Sequence, residues 1–599
     1  MTADRDHIMR HLFTIALVSL LLAPPAQAQN DVRFQVLGGD EALRDALIAA
    51  SRLQAVTDEE DSASQDIVAA ARSDYARLLA VLYEQGYFGP DISITLNGRE
   101  VAGMSPFDRI TQVRSAAITV EPGRAFRLGR AVIAPLAPGT DLPEGFRSGA
   151  PAGTVILRET TEAGIMGWRT QGHATADVGN QQITARHNEA ELDAEITLAP
   201  GPVYRFGTLI PQGEERMRTR RVLRIAGLPT GEVYDPDEVD RAADRLRDTG
   251  VFTSVGFTEI PNPDGTLDVQ AELVEAPLRR VGFGAEIQSQ DGLTVSGYWL
   301  HRNLFGGAER LRFDAEISDI GAQNSGIDGF VSGLFSRPAD LTPDTTLELG
   351  FRIEHLDEPT FVEDTASINI GLEHQFSDEL TATAGVFARY SDVSDNFSER
   401  SVWMVGLPLG LTWDSRDNAF DAASGWYADA TLTPFTAFED GGGVRATADL
   451  RAYYGFGEED STRLAGRLQL GTVDGGDIAA LPPDWLFYSG GSGTVRGQDY
   501  QSLGAMQNGV QTGGRSFAGA SFEIRQDLFG NFGAVAFYDA GYVSAGAYGE
   551  GASDWHSGAG LGLRYETPIG PIRLDIATPV SGDGTGEDVH LYLGIGQNF

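Results

Sequence analysis

From about residue 279 onward one pattern governs the chain: apolar and polar residues alternate, segment after segment. "ERLRFDAEIS" at 309–318 puts Leu311, Phe313, Ala315 and Ile317 on one face and Arg312, Asp314, Glu316 and Ser318 on the other. A period of two belongs to a strand, and strands with one apolar and one polar face build a sandwich or a barrel. Strands are expected near 280–289, 292–302, 309–319, 326–336, 344–355, 365–376, 381–391, 400–414, 425–433 and 445–457. Others are expected near 461–472, 515–527, 532–543, 556–567, 571–580 and 588–599. That makes about sixteen, many of about ten residues, the length that crosses a bilayer at a tilt. Pro408 removes a ladder donor inside one of them.

The connections favour a barrel. "LFGGAE" at 304–309, "DLFGNFG" at 527–533 and "TPIGP" at 567–571 are tight and fall on every second connection. The alternate connections are longer and include the longest, 473–514. Short turns on one rim and long loops on the other are the habit of outer-membrane barrels, and an even strand count brings both chain ends to the short-turn rim.

Composition removes several classes of function. With no Cys there is no disulfide, thiolate metal site, Cys nucleophile or Cys-linked lipid. A formal net charge of −40 repels phosphate backbones, so nucleic acid is not an expected partner. Catalytic signals are lacking too: there is no H-E-x-x-H, the nine His do not cluster, and "GGSGT" at 490–494 misses G-x-S-x-G. No enzyme, metal or cofactor is expected.

The N-terminus reads as an address. "MRHLFTIALVSLLLAPPAQAQN" has Arg10, an apolar core from Leu12 to Ala23 and a small-x-small site at Ala26–Ala28. A secretory signal over 1–28 is expected, with Met9 as an alternative start.

Between about 31 and 278 the chain mixes strands with amphipathic helices, and it repeats. "PGRAFRLG" at 122–129 returns as "PGPVYRFG" at 200–207, and "LYEQGYF" at 82–88 as "LRDTGVF" at 246–252. Gly86, Gly172 and Gly250 recur at the end of a helix in each unit. The third unit's last helix is the clearest, with Asp235 as N-cap, Pro236 at N1 and Glu238 at N3. Its apolar face is Val239, Ala242, Ala243 and Leu246. Three modules of β-α-α-β-β grammar are expected, at 29–122, 123–200 and 201–278, ahead of a barrel over 279–599.

"SGGSGTVRGQDYQSLG" at 489–504 breaks the alternation with a Gly-rich run carrying one cation, Arg496. A barrel of about sixteen strands has a lumen wide enough to admit a loop. Alternation in "ASFEIRQ" at 520–526 turns Glu523 inward, and "AFYDAGY" at 536–542 offers Asp539, so a two-pronged contact to Arg496 is available. A solvated surface loop with an incidental Arg fits the same pattern.

At these residues the chain resembles the BamA/TamA superfamily of outer-membrane assembly factors. "TVRGQDY" at 494–500, with Val495, Arg496, Gly497 and Tyr500, is similar to its V-R-G-F/Y loop. "FYDAG" at 537–541, with Phe537, Asp539 and Gly541, resembles its F-x-D-x-G strand. "DSRDNAFDAASGW" at 414–426 looks like its D-x-R-D turn, "NLFG" at 303–306 like its first periplasmic turn, and 558–577 like its G-x-G-x-R…G-P-R-x-D pair.

The resemblance implies that the modules are periplasmic POTRA domains and that Arg496 docks on Glu523 and Asp539. Three modules and one barrel look most like the TamA branch, the outer-membrane half of the translocation and assembly module. The function implied is insertion or translocation of barrel proteins such as autotransporters, by templating at the seam of first and last strands while the modules guide clients. Gly282 and Gly284 in the first strand and Gly594 and Gly596 in the last are expected to weaken that seam. Tyr592 and Phe599 complete the C-terminal signal, with the Phe599 ring expected at the membrane interface. Gln597 stands where an aromatic is common. Implied partners are the outer-membrane bilayer, unfolded clients and a TamB-like periplasmic protein anchored in the inner membrane. The alternative is a transporter passing an unfolded polypeptide through the lumen.

Overall fold

The computed structural model describes residues 32–599 apart from 58–62, 106–111, 289–291, 323–324, 439–440, 458–459, 477, 479–480, 508, 568–569, 583 and 598. The signal expected over 1–28 lies outside the described residues. Two compact units emerge: residues up to 205 with 231–236 and 261–267, and 206–230, 237–260 and 268–599.

In the first unit, Val32–Val36 pairs in parallel with Ala116–Glu121, which pairs antiparallel with Asp91–Leu96. Helices Glu41–Ala50, Arg52–Thr57 and Ser64–Glu84 cover this sheet. The first begins at Asp40, whose carboxylate accepts the N–H of Leu43 at 2.9 Å. Leu47, Leu53, Leu78, Leu82, Ile94, Leu96 and Ile118 are fully buried between the layers.

A second sheet joins Arg127–Ala134, Glu191–Ala199 and Asp177–Arg186. Its single helix among the described residues is Thr154–Arg169. The expected two-helix grammar is therefore corrected in both modules: the first has three helices and the second has one. In the second, the Pro- and Gly-rich stretch 135–153 forms turns where a helix was expected.

The third sheet, Arg205–Gln212, Thr266–Glu275 and Phe252–Pro261, carries helices Thr219–Ala226 and Pro236–Asp248. Val239, Ala242, Ala243 and Leu246 are all buried. Gly86, Gly172 and Gly250 have φ of +84°, +92° and +65°, the left-handed turn that stops a helix.

Within the second unit, helix Thr219–Ala226 sits on the turns of one barrel rim. The guanidinium of Arg221 donates to the carbonyls of Gly307, Pro338 and Ala339, and Arg245 grips Asp344 through Nε and Nη2.

From Arg279 to Ile595 the strands pair antiparallel, each with the next in sequence. Seventeen segments make sixteen crossings, because Glu399–Gly406 and Leu409–Asp414 are one strand broken at Leu407–Pro408, both halves pairing with the same neighbours. Pro408 has no N–H to offer the ladder. Apolar residues such as Phe313, Ile317, Phe522 and Ile524 point outward, while Glu523 and Arg525 between them are buried inside. The first strand, Arg279–Gln288, and the last, His590–Ile595, come side by side, yet no ladder joins them among the described residues. No described helix is long and apolar enough to cross a membrane.

Candidate functional site: the lumen loop and its ionic network

The described residues of the segment 476–515 leave the strand Thr462–Gly475 at the rim opposite the third module and enter the barrel. Its first part rests on apolar packing. Trp485 meets Phe435 edge-on at 4.9 Å, Phe487 stacks on Phe517 at 6.4 Å, and Leu481, Leu486 and Leu503 are buried with them. Ion pairs add direction: the Nη2 of Arg389 lies 2.6 Å from Glu363 and 2.7 Å from Asp484.

Beyond this anchor the chain reaches Arg496, which is 1% exposed. Its Nε and Nη2 donate to the two carboxylate oxygens of Asp539 at 2.7 and 3.0 Å, and its own backbone N–H donates to Asp539 at 3.1 Å. Its Nη1 lies 2.8 Å from Glu523 and 3.3 Å from Asp575. The plane of the guanidinium covers the Phe537 ring, with its carbon 3.5 Å from the centroid.

The carboxylates are shared. Glu523 also accepts from Arg525 Nε at 2.9 Å, and Asp575 pairs with Arg564. Three guanidiniums thus meet three carboxylates, and the buried charge cancels. A buried charge without a partner is costly, so this balance is the condition for putting the groups there. The chain contains no Lys, so every side-chain cation in this network is a planar fork able to serve two carboxylates.

The loop's close approach depends on missing side chains. Gly497 has φ of +91°, and a Cβ there would sit 2.8 Å from the Thr578 carbonyl. Its N–H donates to the Tyr592 hydroxyl at 3.0 Å. Gly541 leaves room for Val495, itself fully buried, and for Ser489, while a Cβ on Gly558 would run into the Arg496 carbonyl. Gln498 donates to the carbonyls of Ser557 and Ser581 at 2.9 and 2.8 Å. Tyr500 turns the other way and donates to Glu358 at 3.1 Å, on the strand Thr345–Glu358. The loop is therefore tied to opposite sides of the wall and leaves a cavity of about 460 Å³ beside Glu358, Asp449 and Tyr500.

The residues expected at the seam divide. Gly282 lies under the Tyr298 ring and Gly284 beside Ser296, so the first strand's glycines make room for neighbours. Gly594 lies within the last strand, opposite Arg573. Two expectations are corrected. Gly596 falls just past the strand, where φ of +90° turns the backbone, so it does not thin the ladder. Phe599 is 6% exposed and packs inside the barrel with Ala422, Tyr453 and Ala465, away from any outward aromatic belt.

Alternation in a single strand says which way Asp575, Arg525 and Arg564 point, but not that they converge on Arg496 from three strands. Among the described residues no cluster of His, Asp or Glu is placed to hold a metal.

A polar-lined barrel with an inserted loop, preceded by small α/β modules, defines the class: an outer-membrane barrel with periplasmic domains. The Omp85 superfamily domain matches residues 303–599, and the surface antigen variable number repeat, POTRA, matches 204–276. The chain belongs to the Omp85 superfamily and is an outer-membrane protein with its POTRA part in the periplasm.

Among relatives, Outer envelope protein 80, chloroplastic, of Oryza sativa subsp. japonica is 26% identical over 400 residues, covering 59% of this chain and 56% of that protein. Outer membrane protein assembly factor BamA of Nitratidesulfovibrio vulgaris is 22% identical over 451 residues, covering 69% and 54%. The chain thus spans about half the length of the curated relatives it matches. Among solved structures, BamA from Haemophilus ducreyi lacking POTRA domains 1–3 aligns with a TM-score of 0.57 at 15% identity, over 79% of this chain and 98% of that one. CdiB from Acinetobacter baumannii aligns at 0.50 and 14% identity, over 93% and 99%. At such identities the likeness is one of fold.

Proposed function

We propose that this chain is a non-enzymatic assembly factor that inserts or translocates β-barrel proteins at the outer membrane, with its first/last-strand seam as the template. The observation that carries this reading is the seam itself. Among the described residues, Arg279–Gln288 and His590–Ile595 lie side by side without a ladder, whereas every other neighbouring pair of barrel strands is hydrogen-bonded. Unpaired strand edges accept another strand by backbone hydrogen bonding, and the gain from pairing a client strand is withheld from the resting barrel.

We read the first and second modules as POTRA domains as well, with bounds 29–122 and 123–200 ahead of 201–278. Three such domains suit a TamA-like role, with autotransporters among the clients and a TamB-like partner in the periplasm. Lumenal transport of an unfolded polypeptide needs an open bore, and here the loop within 476–515 is tied to Asp539 through Arg496 and to Glu358 through Tyr500.

Because the chain has no Cys, one cysteine in each edge strand gives a clean lock. Oxidation is expected to stop client insertion into vesicles while the barrel stays heat-modifiable on gels. Undiminished insertion in fully crosslinked protein contradicts templating, and a large steady conductance favours the lumenal route.

A further inference from the structure

The last strand ends at Ile595, and Gln597 and Phe599 leave its line. After Ile595, Gly596 turns the backbone inward, its N–H donating to the Pro571 carbonyl at 2.7 Å. Gln597 then bridges two barrel residues: its Oε1 accepts from Arg564 Nε at 2.8 Å, and its Nε2 donates to Asp421 at 3.0 Å. A backbone oxygen of Phe599 accepts from Arg525 Nη2 at 3.0 Å, and its ring lies under the same guanidinium.

Asp421 belongs to the connection 415–423, between Leu409–Asp414 and Ser424–Ala437. This connection is braced from within. Arg416 grips Asp414 at 2.6 and 2.8 Å, and the Asp417 carboxylate accepts the N–H groups of Asn418, Ala423 and Ser424. A braced turn gains nothing from Asp421 pointing inward. Yet Asp421 reaches in, pairs with Arg463 at 2.6 Å and offers its other oxygen to Gln597, while Ala422 beside it is buried against Phe599.

We propose that the turn 415–423 is a clasp for the end of the last strand, with Asp421 as the residue that positions it. Held this way, the last strand's pairing ends with the single bond from Gly596 to Pro571, and Gln597 and Phe599 are kept off the seam. Released, the tail is free to extend along the neighbouring strand and lengthen the edge. The clasp is also tied to the lumen loop, because Arg525 and Arg564 hold the tail with one part of their forks and Glu523 and Asp575 with another. Its bearing on client assembly rests on the seam reading above, but its geometry does not.

The test uses the full chain in outer-membrane vesicles, with Phe599 replaced by the photoreactive p-benzoyl-phenylalanine. Crosslinks are expected to peptides containing Ala422, Tyr453 and Ala465. Asp421→Ala is expected to cut their yield about fivefold or more, the size of one or two lost charged hydrogen bonds, and to bring up crosslinks to the first strand. If Asp421→Ala fails to fold, Gln597→Ala, which alters only the tail, is read instead with the same expectation. Crosslinks that never reach the lumen, or that persist unchanged in a folded variant, overturn the clasp. Client insertion measured in the same vesicles reads the seam separately, so loss of one result leaves the other standing.

Discussion

The first module buries Leu47, Leu53, Leu78 and Leu82 against Ile94, Leu96 and Ile118, while the barrel buries Arg496, Glu523, Asp539 and Asp575 against one another. The module packs apolar side chains inward, so apolar area removed from solvent drives its packing. Its buried carboxylate, Asp74, serves as a cap. It accepts the Ser51 hydroxyl at 2.7 Å and the N–H groups of Arg52 and Leu53 at 2.8 and 3.0 Å, where the next helix starts. The barrel faces lipid, so its apolar residues go outward and its interior takes the polar set. Aliphatic packing degrades gradually as side chains are trimmed. A balanced ionic network loses its balance when any one member is removed, which makes the lumen a place where a loop can be held firmly and released as a unit.

The sharpest way to break this contrast is Arg496→Ala. It leaves Glu523, Asp539 and Asp575 short of a cation, and breaking a buried pair costs about 3–5 kcal/mol, less where lumenal water reaches the carboxylates. The segment 476–515 is expected to become cleavable by protease added from outside, with a lower heat-modifiability temperature. Arg496→Lys is expected to restore only part, because a point charge cannot fork onto Asp539.

Leu78→Ala is expected to cost the first module about 2–5 kcal/mol, seen as early proteolysis of that module. Loop protection is expected to be unchanged; a loop that loosens as well would show that the two regions are less independent than their chemistry suggests. Smaller still, Asp74→Ala removes a helix cap worth about 1–2 kcal/mol and leaves Ser51 without its acceptor, whereas Asp74→Asn keeps part of it.

The smallest expected effect is one of pH. Burial works to raise the pKa of Glu275, but the N–H groups of Met217, Arg216 and Glu215 and the Arg216 charge outweigh it and hold the carboxyl below its usual range. A depressed folded pKa stabilises fully above the unfolded value of about 4.3 and is lost as pH falls through the folded value. Protease access to the segment 213–218 is expected to rise only in that acid window, and Glu275→Gln is expected to flatten the dependence.

Much of the barrel was legible because a period of two needs no tertiary knowledge: a strand carrying Phe522 and Ile524 outward must carry Glu523 and Arg525 inward. Pro408 was legible as a lost ladder donor, but the strand expected over 400–414 is continuous, whereas the structure divides it at Leu407–Pro408. What was not legible depended on closure. Asp575 and Arg564 stand on neighbouring paired strands beside those of Glu523 and Asp539, but they become one network only when the loop brings Arg496 among them, and Gln597 reaches Asp421 from 176 residues away; no spacing records either contact. The Phe599 expectation failed through one backbone angle, at Gly596, which turns the tail from the membrane interface into the lumen. The second module's missing helix yielded to turn residues at 135–153, where helical grammar had been carried over from its neighbours.

That Arg496 and its carboxylates act as one unit is tested most directly by a double-mutant cycle of Arg496→Ala and Asp539→Asn, read as heat-modifiability and loop protection. The expected result is that the double variant is less impaired than the two singles added together, with a coupling of about 1.5–3 kcal/mol. Additivity within about 0.5 kcal/mol would mean that the two residues do not depend on each other, and would contradict the network as the device that holds the loop.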